Sequence, residues 1–194
     1  MPIAPSSLVH VVYRTRRFEE MLSWYATVFG ARIQHKNPAL AFLTFDDEHH
    51  RFAFADLDVI RPDEDDKDDR GTIGVDHVAW EYRSLAELLE NYAELKAKGI
   101  APYWAVHHGM SASLDYADPD GNQMEFTVDA FPTKAEAAAY FHGSQMDENP
   151  VGVEYDPDDW LTRLRGETAE SELLNMDASG AVSPIRGAMM AMRA

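Results

Sequence analysis

The stretch VDHVAW, residues 75–80, decides how this chain is read. Its pattern occurs once before, as LVHVVY at residues 8–13, and each copy carries one histidine, His77 and His10. Valine, tryptophan and tyrosine fit a pleated surface, so both stretches read as strands. An amphipathic helix follows each. After LVHVVY, Phe18, Leu22, Tyr25 and Phe29 form one apolar stripe, and Gly30 stands where a C-cap belongs. After VDHVAW, the run SLAELLENYAELKAKG carries Leu85, Leu88, Leu89, Tyr92 and Leu95 on one face. Ser84 and Glu87 form a capping box at its start, and Gly99 closes it.

Three short strands then follow each helix. They are ARIQHK, ALAFLTF and RFAFADL in the first copy, and IAPYWAV, ASLDYA and QMEFTVD in the second. The turn DPDGN joins the last two as a hairpin. The chain thus reads as α+β, with two βαβββ modules at about residues 8–60 and 72–130 in a domain of residues 1–130. An internal repeat of this length organises everything else. The run RPDEDDKDDRG, residues 61–71, reads as an exposed linker between the modules.

From Phe131 the texture changes. FPTKAEAAAYF reads as a helix with Thr133 and Glu136 as its capping box, and DPDDWLTRLRGE as a second short helix. The final NMDASGAVSPIRGAMMAMRA has no period and reads as a loosely ordered tail. Residues 131–194 are therefore set apart as a C-terminal extension, whose first helix is expected to pack on the modules or on a partner subunit. Glu154, Asp156, Asp158 and Asp159 read as a solvated face and a helix N-terminus rather than a metal site.

Composition narrows the function. The chain has 194 residues, a net charge of −17 and no cysteine. Such an acidic surface disfavours phosphate backbones and anionic lipid, so neither nucleic acid nor membrane is expected as a partner. No apolar run is long enough for a transmembrane helix, and MPIAPSSLVH lacks the features of a signal peptide. A cytoplasmic, cysteine-free protein is expected, in which imidazole and carboxylate are the available metal ligands.

Strand parity then selects the ligands. In QMEFTV the apolar set is Met124, Phe126 and Val128, so Glu125 points to the opposite face with Gln123 and Thr127. His77 shares a face with Val75 and Ala79, and His10 with Leu8 and Val12. Each module has a helix-packed face and a second face. If the two copies pack as a pseudo-twofold pair, those second faces enclose a half-open barrel. His10, His77 and Glu125 are then expected to meet there at one metal.

With these residues in place, the chain resembles the vicinal oxygen chelate (glyoxalase/bleomycin resistance/dioxygenase) superfamily over residues 8–130, and most of all its type I extradiol ring-cleaving dioxygenases. The resemblance implies a 2-His-1-carboxylate triad on His10, His77 and Glu125, which suits non-haem Fe(II), with Mn(II) or another divalent metal as the alternative. It implies a small aromatic diol and O2 as substrates, His50 over the oxygen side, and an acid–base histidine at His108 or His107. It also implies a homo-oligomer. Aligning RFAF with QMEF sets Ala53 opposite Glu125, so the fourth protein ligand used by glyoxalases is missing. Where the family carries a tyrosine on the third strand of the second module, this chain has Asp115, with Tyr116 expected to face the helix. An aspartate there accepts a hydrogen bond or a proton. The alternatives are a metal-dependent lyase or isomerase on the same scaffold, and a non-catalytic resistance-type binding protein. His35 and His142 read as surface residues.

Overall fold

The structure is a computed structural model that describes residues 8, 10–48, 50–60, 62, 77–140, 142–178 and 180–186. The linker at 61–71, apart from residue 62, the residues just before His77, His49 and the last eight residues lie outside the described residues. The chain divides into two units. The first holds residues 1–71 with 118–120, and the second holds 72–117 with 121–194. The C-terminal extension therefore groups with the second module.

In the first unit, β1 (Val11–Thr15), α1 (Phe18–Phe29), β2 (Arg32–Lys36), β3 (Leu40–Thr44) and β4 (Phe52–Asp56) run in order, followed by one turn of helix, α2 (Leu57–Ile60). The sheet order is β1-β4-β3-β2, with β1 parallel to β4 and the other pairs antiparallel. The stripe on α1 faces this sheet. Met21, Leu22, Tyr25 and Val28 are buried with Phe52 and Phe54, and the Tyr25 ring meets both phenylalanines edge-on at 4.6 and 4.8 Å. Gly30 takes φ 61° and returns its N–H to the Tyr25 carbonyl, a left-handed cap that glycine adopts without strain.

The second unit repeats the plan. β5 (His77–Glu81), α3 (Leu85–Ala97), β6 (Trp104–His107), β7 (Ser111–Ala117) and β8 (Gln123–Asp129) give the order β5-β8-β7-β6, again with the first strand parallel to the last. Ser84 caps α3 as its sequence requires, accepting the Glu87 N–H at 3.1 Å. The return half of the capping box differs. The Glu87 carboxylate takes the N–H of Arg83 at 3.2 Å.

The extension contributes α4 (Lys134–Tyr140), α5 (Ser144–Glu148), β9 (Val153–Glu154), α6 (Pro157–Arg165) and α7 (Glu170–Leu174). β9 adds antiparallel to the outer side of β6, and α6 lies along α3. Tyr155, Trp160, Leu161 and Leu173 are buried. Asp156 caps α6 by accepting the N–H groups of Asp158 and Asp159. The expected loose tail is corrected for residues 175–186 where they are described. Ser183 is buried and its N–H bonds the Gly152 carbonyl at 2.9 Å, and the Asn149 side chain donates to the Ala178 carbonyl at 2.9 Å. One anchor is a backbone pair and the other a side-chain amide on a backbone carbonyl, and neither leaves a periodic mark on the sequence.

One clasp on this extension is measurable. Glu170 reaches back from α7 to the N-terminus of α3, taking the N–H groups of Leu85 and Ala86 at 3.0 and 3.2 Å. A carboxylate there satisfies two orphan donors and meets the positive end of the helix dipole. Glu170→Ala should lower unfolding free energy by about 1 kcal/mol, read as a reduced urea midpoint at unchanged slope.

Candidate metal centre

β8 positions the central carboxylate. Met124, Phe126 and Val128 are buried on the face toward α3, which sends Glu125 to the other face, as parity requires. On β5, exposure alternates in step, with His77, Ala79 and Glu81 on the open side. Parallel pairing sets His77 opposite Gln123 and Ala79 opposite Glu125. From there the His77 Nε2 comes 3.1 Å from Glu125 Oε2.

β7 completes the carboxylate's surroundings. Ser113 donates its hydroxyl to Glu125 Oε1 at 2.6 Å, and the His108 Nε2 stands 3.7 Å from the same oxygen. Burial pushes the Glu125 carboxyl up. The hydrogen bonds from His77 and Ser113 and the charges of His108 and His77 outweigh it, so the group sits below its ordinary value and is ionised at neutral pH. Ser113 was not singled out in the sequence. It lies two residues before Asp115 on the same face of β7, so strand parity was the signal available for it.

The adjacent histidines take opposite faces and opposite tautomers. His107 pairs across β6 with Ala112 on the helix side, is 1% exposed and lies against the Trp160 ring. It accepts the Gly109 N–H at Nδ1, so its Nε2 must carry the proton given to the Leu174 carbonyl at 2.9 Å. Burial holds its pKa below the ordinary value. His107 is thus a structural pin under the C-terminal helices, away from Glu125's face. His108 meets the Val151 carbonyl through Nδ1 at 2.6 Å. A carbonyl only accepts, so Nδ1 bears a proton, and in the neutral ring the lone pair falls on Nε2, on the Glu125 side.

Asp115 is buried and directly opposite Glu125 in the β7–β8 ladder. Tyr116 faces the helix, 1% exposed, with its ring 5.1 Å from Phe126. In the first unit, His10 immediately precedes β1 and stacks on the His50 ring at 4.4 Å, while Phe42 meets His50 edge-on at 5.2 Å. The first sheet thus brings His10 and His50 together, and the second brings His77, Glu125 and His108 together. Within neither unit do three His, Asp or Glu side chains among the described residues gather where they could hold a metal.

The two sheets share one register. Val12 lies opposite Ala53 in the first, and Ala79 opposite Glu125 in the second. Because His10 precedes Val12 by the same two residues that separate His77 from Ala79, the repeat equates His10 with His77 and Ala53 with Glu125. Ala53 offers no donor atom. The His77–Glu125 pair suits a metal: ligands at about 2.1 Å on adjacent octahedral positions stand about 3 Å apart, the separation these two atoms have.

Comparison with known proteins agrees with this architecture. Residues 7–126 match the Glyoxalase/Bleomycin resistance protein/Dioxygenase superfamily. Biphenyl-2,3-diol 1,2-dioxygenase 2 of Rhodococcus globerulus is 42% identical over 154 residues, 79% of each chain. Biphenyl-2,3-diol 1,2-dioxygenase 3 of the same organism is 36% identical over 175 residues, 89% of each chain. Among solved structures, a glyoxalase/bleomycin resistance protein/dioxygenase from Nocardioides superposes with a TM-score of 0.51 at 20% identity, covering 66% of this chain and 86% of its own. At that identity it speaks for the fold alone. With a repeated βαβββ plan, a matching profile over most of its length and two relatives above one-third identity, this chain belongs to the Glyoxalase/Bleomycin resistance protein/Dioxygenase superfamily.

Proposed function

We propose that the chain is an extradiol-type dioxygenase, cleaving a catechol-like aromatic diol with O2 at a non-haem Fe(II) held by His10, His77 and Glu125. Mn(II) is the alternative metal, and a homo-oligomer the expected assembly. The observation that carries this reading is the His77–Glu125 pair with His108 beside it, in a chain 42% identical to a biphenyl-2,3-diol dioxygenase.

Fe(II), when bound, binds diol and O2 together, lowers the diol's pKa and passes electrons between them. The chain's own residues supply the rest. Ser113 fixes the rotation of Glu125 by donating to Oε1, leaving Oε2 toward His77. The Nε2 lone pair of His108 takes a proton from the diol hydroxyl and returns it after the ring opens. His50 offers a donor to the negative charge that develops on oxygen. Asp115 accepts a hydrogen bond from a substrate hydroxyl, the role the family gives a tyrosine.

The buried Asp115 beside Glu125 also favours a second reading, a metal-dependent lyase or isomerase with Asp115 as base. An oxygen-electrode screen of catechol and 2,3-dihydroxybiphenyl with Fe(II)-loaded protein separates the two. Stoichiometric O2 uptake with a ring-opened product is expected. No O2 consumption with any diol would sink the dioxygenase reading.

A further inference from the structure

The acid–base histidine depends on a residue far outside the repeat. His108 owes its tautomer to the Val151 carbonyl, which sits in the loop between α5 and β9. A loop carbonyl fixes a ring only if the loop itself is fixed. Here the fixing group is Asn149, 1% exposed. Its Oδ1 accepts the N–H groups of Val151 and Gly152 at 3.2 and 2.8 Å. Its Nδ2 donates to the carbonyls of Gly152, Ala178 and Gly180 at 3.2, 2.9 and 3.4 Å. One amide therefore ties the loop carrying Val151 to the chain's last described segment.

A second observation is independent of these bonds. Gly152 takes φ 108°, and a Cβ there would lie 2.2 Å from the His107 carbonyl oxygen and 2.8 Å from His108 Cα. Only glycine allows the loop to lie this close to the histidine pair. The loop is built to press on the backbone that carries His108.

We propose that Asn149 is a positioning residue which, through the Val151 carbonyl, holds His108 in its Nδ1–H tautomer and keeps the Nε2 lone pair on the Glu125 side. Its catalytic consequence rests on the reading of His108 as the acid–base residue. The tautomer itself does not.

The test is a long-range 1H–15N correlation spectrum of 15N-histidine-labelled, metal-free full-length protein at a pH where both rings are neutral. His107→Gln and His108→Gln spectra assign the two signals. The wild type should show His108 as Nδ1–H and His107 as Nε2–H. In Asn149→Ala, and by a separate route in Gly152→Ala, His108 should become a mixture of tautomers while His107 is unchanged. With the metal-loaded enzyme, kcat should fall at least about 10-fold with KM within about 2-fold, the scale on which outer partners of site residues act. Glu170→Ala, which loosens the extension away from Val151, is a control that should leave His108 as Nδ1–H. A wild-type His108 in the Nε2–H form overturns the proposal without any variant. So does a folded Asn149→Ala that keeps the pure Nδ1–H form. Absence of diol turnover in the wild type would sink the dioxygenase reading and leave the tautomer result standing.

Discussion

Glu125→Gln should give a soluble, folded protein that has lost its metal and all diol-dependent O2 uptake. The substitution keeps the shape of the side chain and an oxygen for Ser113, which now donates at 2.6 Å. It removes only the negative charge and one strong donor atom. The fold should tolerate this because Glu125 projects from the face of β8 opposite Met124, Phe126 and Val128, and the core against α3 is untouched. Metal affinity should drop by more than the roughly 10–100-fold that outer partners contribute, since the proposed direct ligand is lost. Metal analysis, circular dichroism and an oxygen electrode read the three quantities separately. A variant that retains stoichiometric metal and turnover would place the centre elsewhere. His77→Ala should behave the same way, because its imidazole is the other half of the 3.1 Å pair.

Truncation after Ala130 should yield insoluble protein. The extension fills the helix side of the second sheet. Tyr155 stacks on Trp160 at 4.0 Å and donates its hydroxyl to the Ser113 carbonyl at 3.2 Å. His107 loses its Leu174 partner on truncation, and α3 loses the Asp158 contact to Tyr92 at 2.8 Å. Four large buried side chains, Tyr155, Trp160, Leu161 and Leu173, leave with the segment. At about 1.5–3 kcal/mol for each, their removal approaches the whole stability of a typical domain, about 5–15 kcal/mol. The fraction of truncated protein in the soluble phase, compared with full-length protein expressed alike, is the measurement. A soluble and active fragment would show the extension to be dispensable.

The repeat was legible because each module writes its elements twice, in two periods. The stripes of α1 and α3 and the alternation in QMEFTV are strong patterns. They gave the helices, the sequence of elements and the direction of Glu125. Parity within β6, where His107 pairs with Ala112 on the helix side, favours His108 over His107 as the acid–base candidate. The extension was legible only in α4 and α6, which have capping residues. β9 has two residues and no period, and the anchoring of residues 175–186 combines bonds to backbone carbonyls with the Ser183 hydroxyl, which meets Trp104 and Glu154, and the Arg186–Glu154 ion pair. Asn149 donates to the Ala178 and Gly180 carbonyls, and a lone asparagine in a loop has no spacing to read. For Ser113, parity with Asp115 gave the face, and only the pairing of β7 with β8 gave the oxygen it meets.

The added strand β9 has a consequence for how the two copies survive in solution. Within each four-strand repeat the strand after the helix, β2 or β6, forms one border, opposite β1 or β5. The first copy protects that border locally. β2 is exposed along its length, has a register break between Ile33 and His35, and carries Arg32 and Lys36 at its ends. Irregularity and positive charge make it a poor template for an incoming chain. The second copy has neither a bulge nor lysine on β6 (Trp104–His107), and β9 occupies its border instead. A duplicated sheet doubles the number of borders open to self-templating, and at the β2 and β6 borders this chain lowers that risk by a different route in each half.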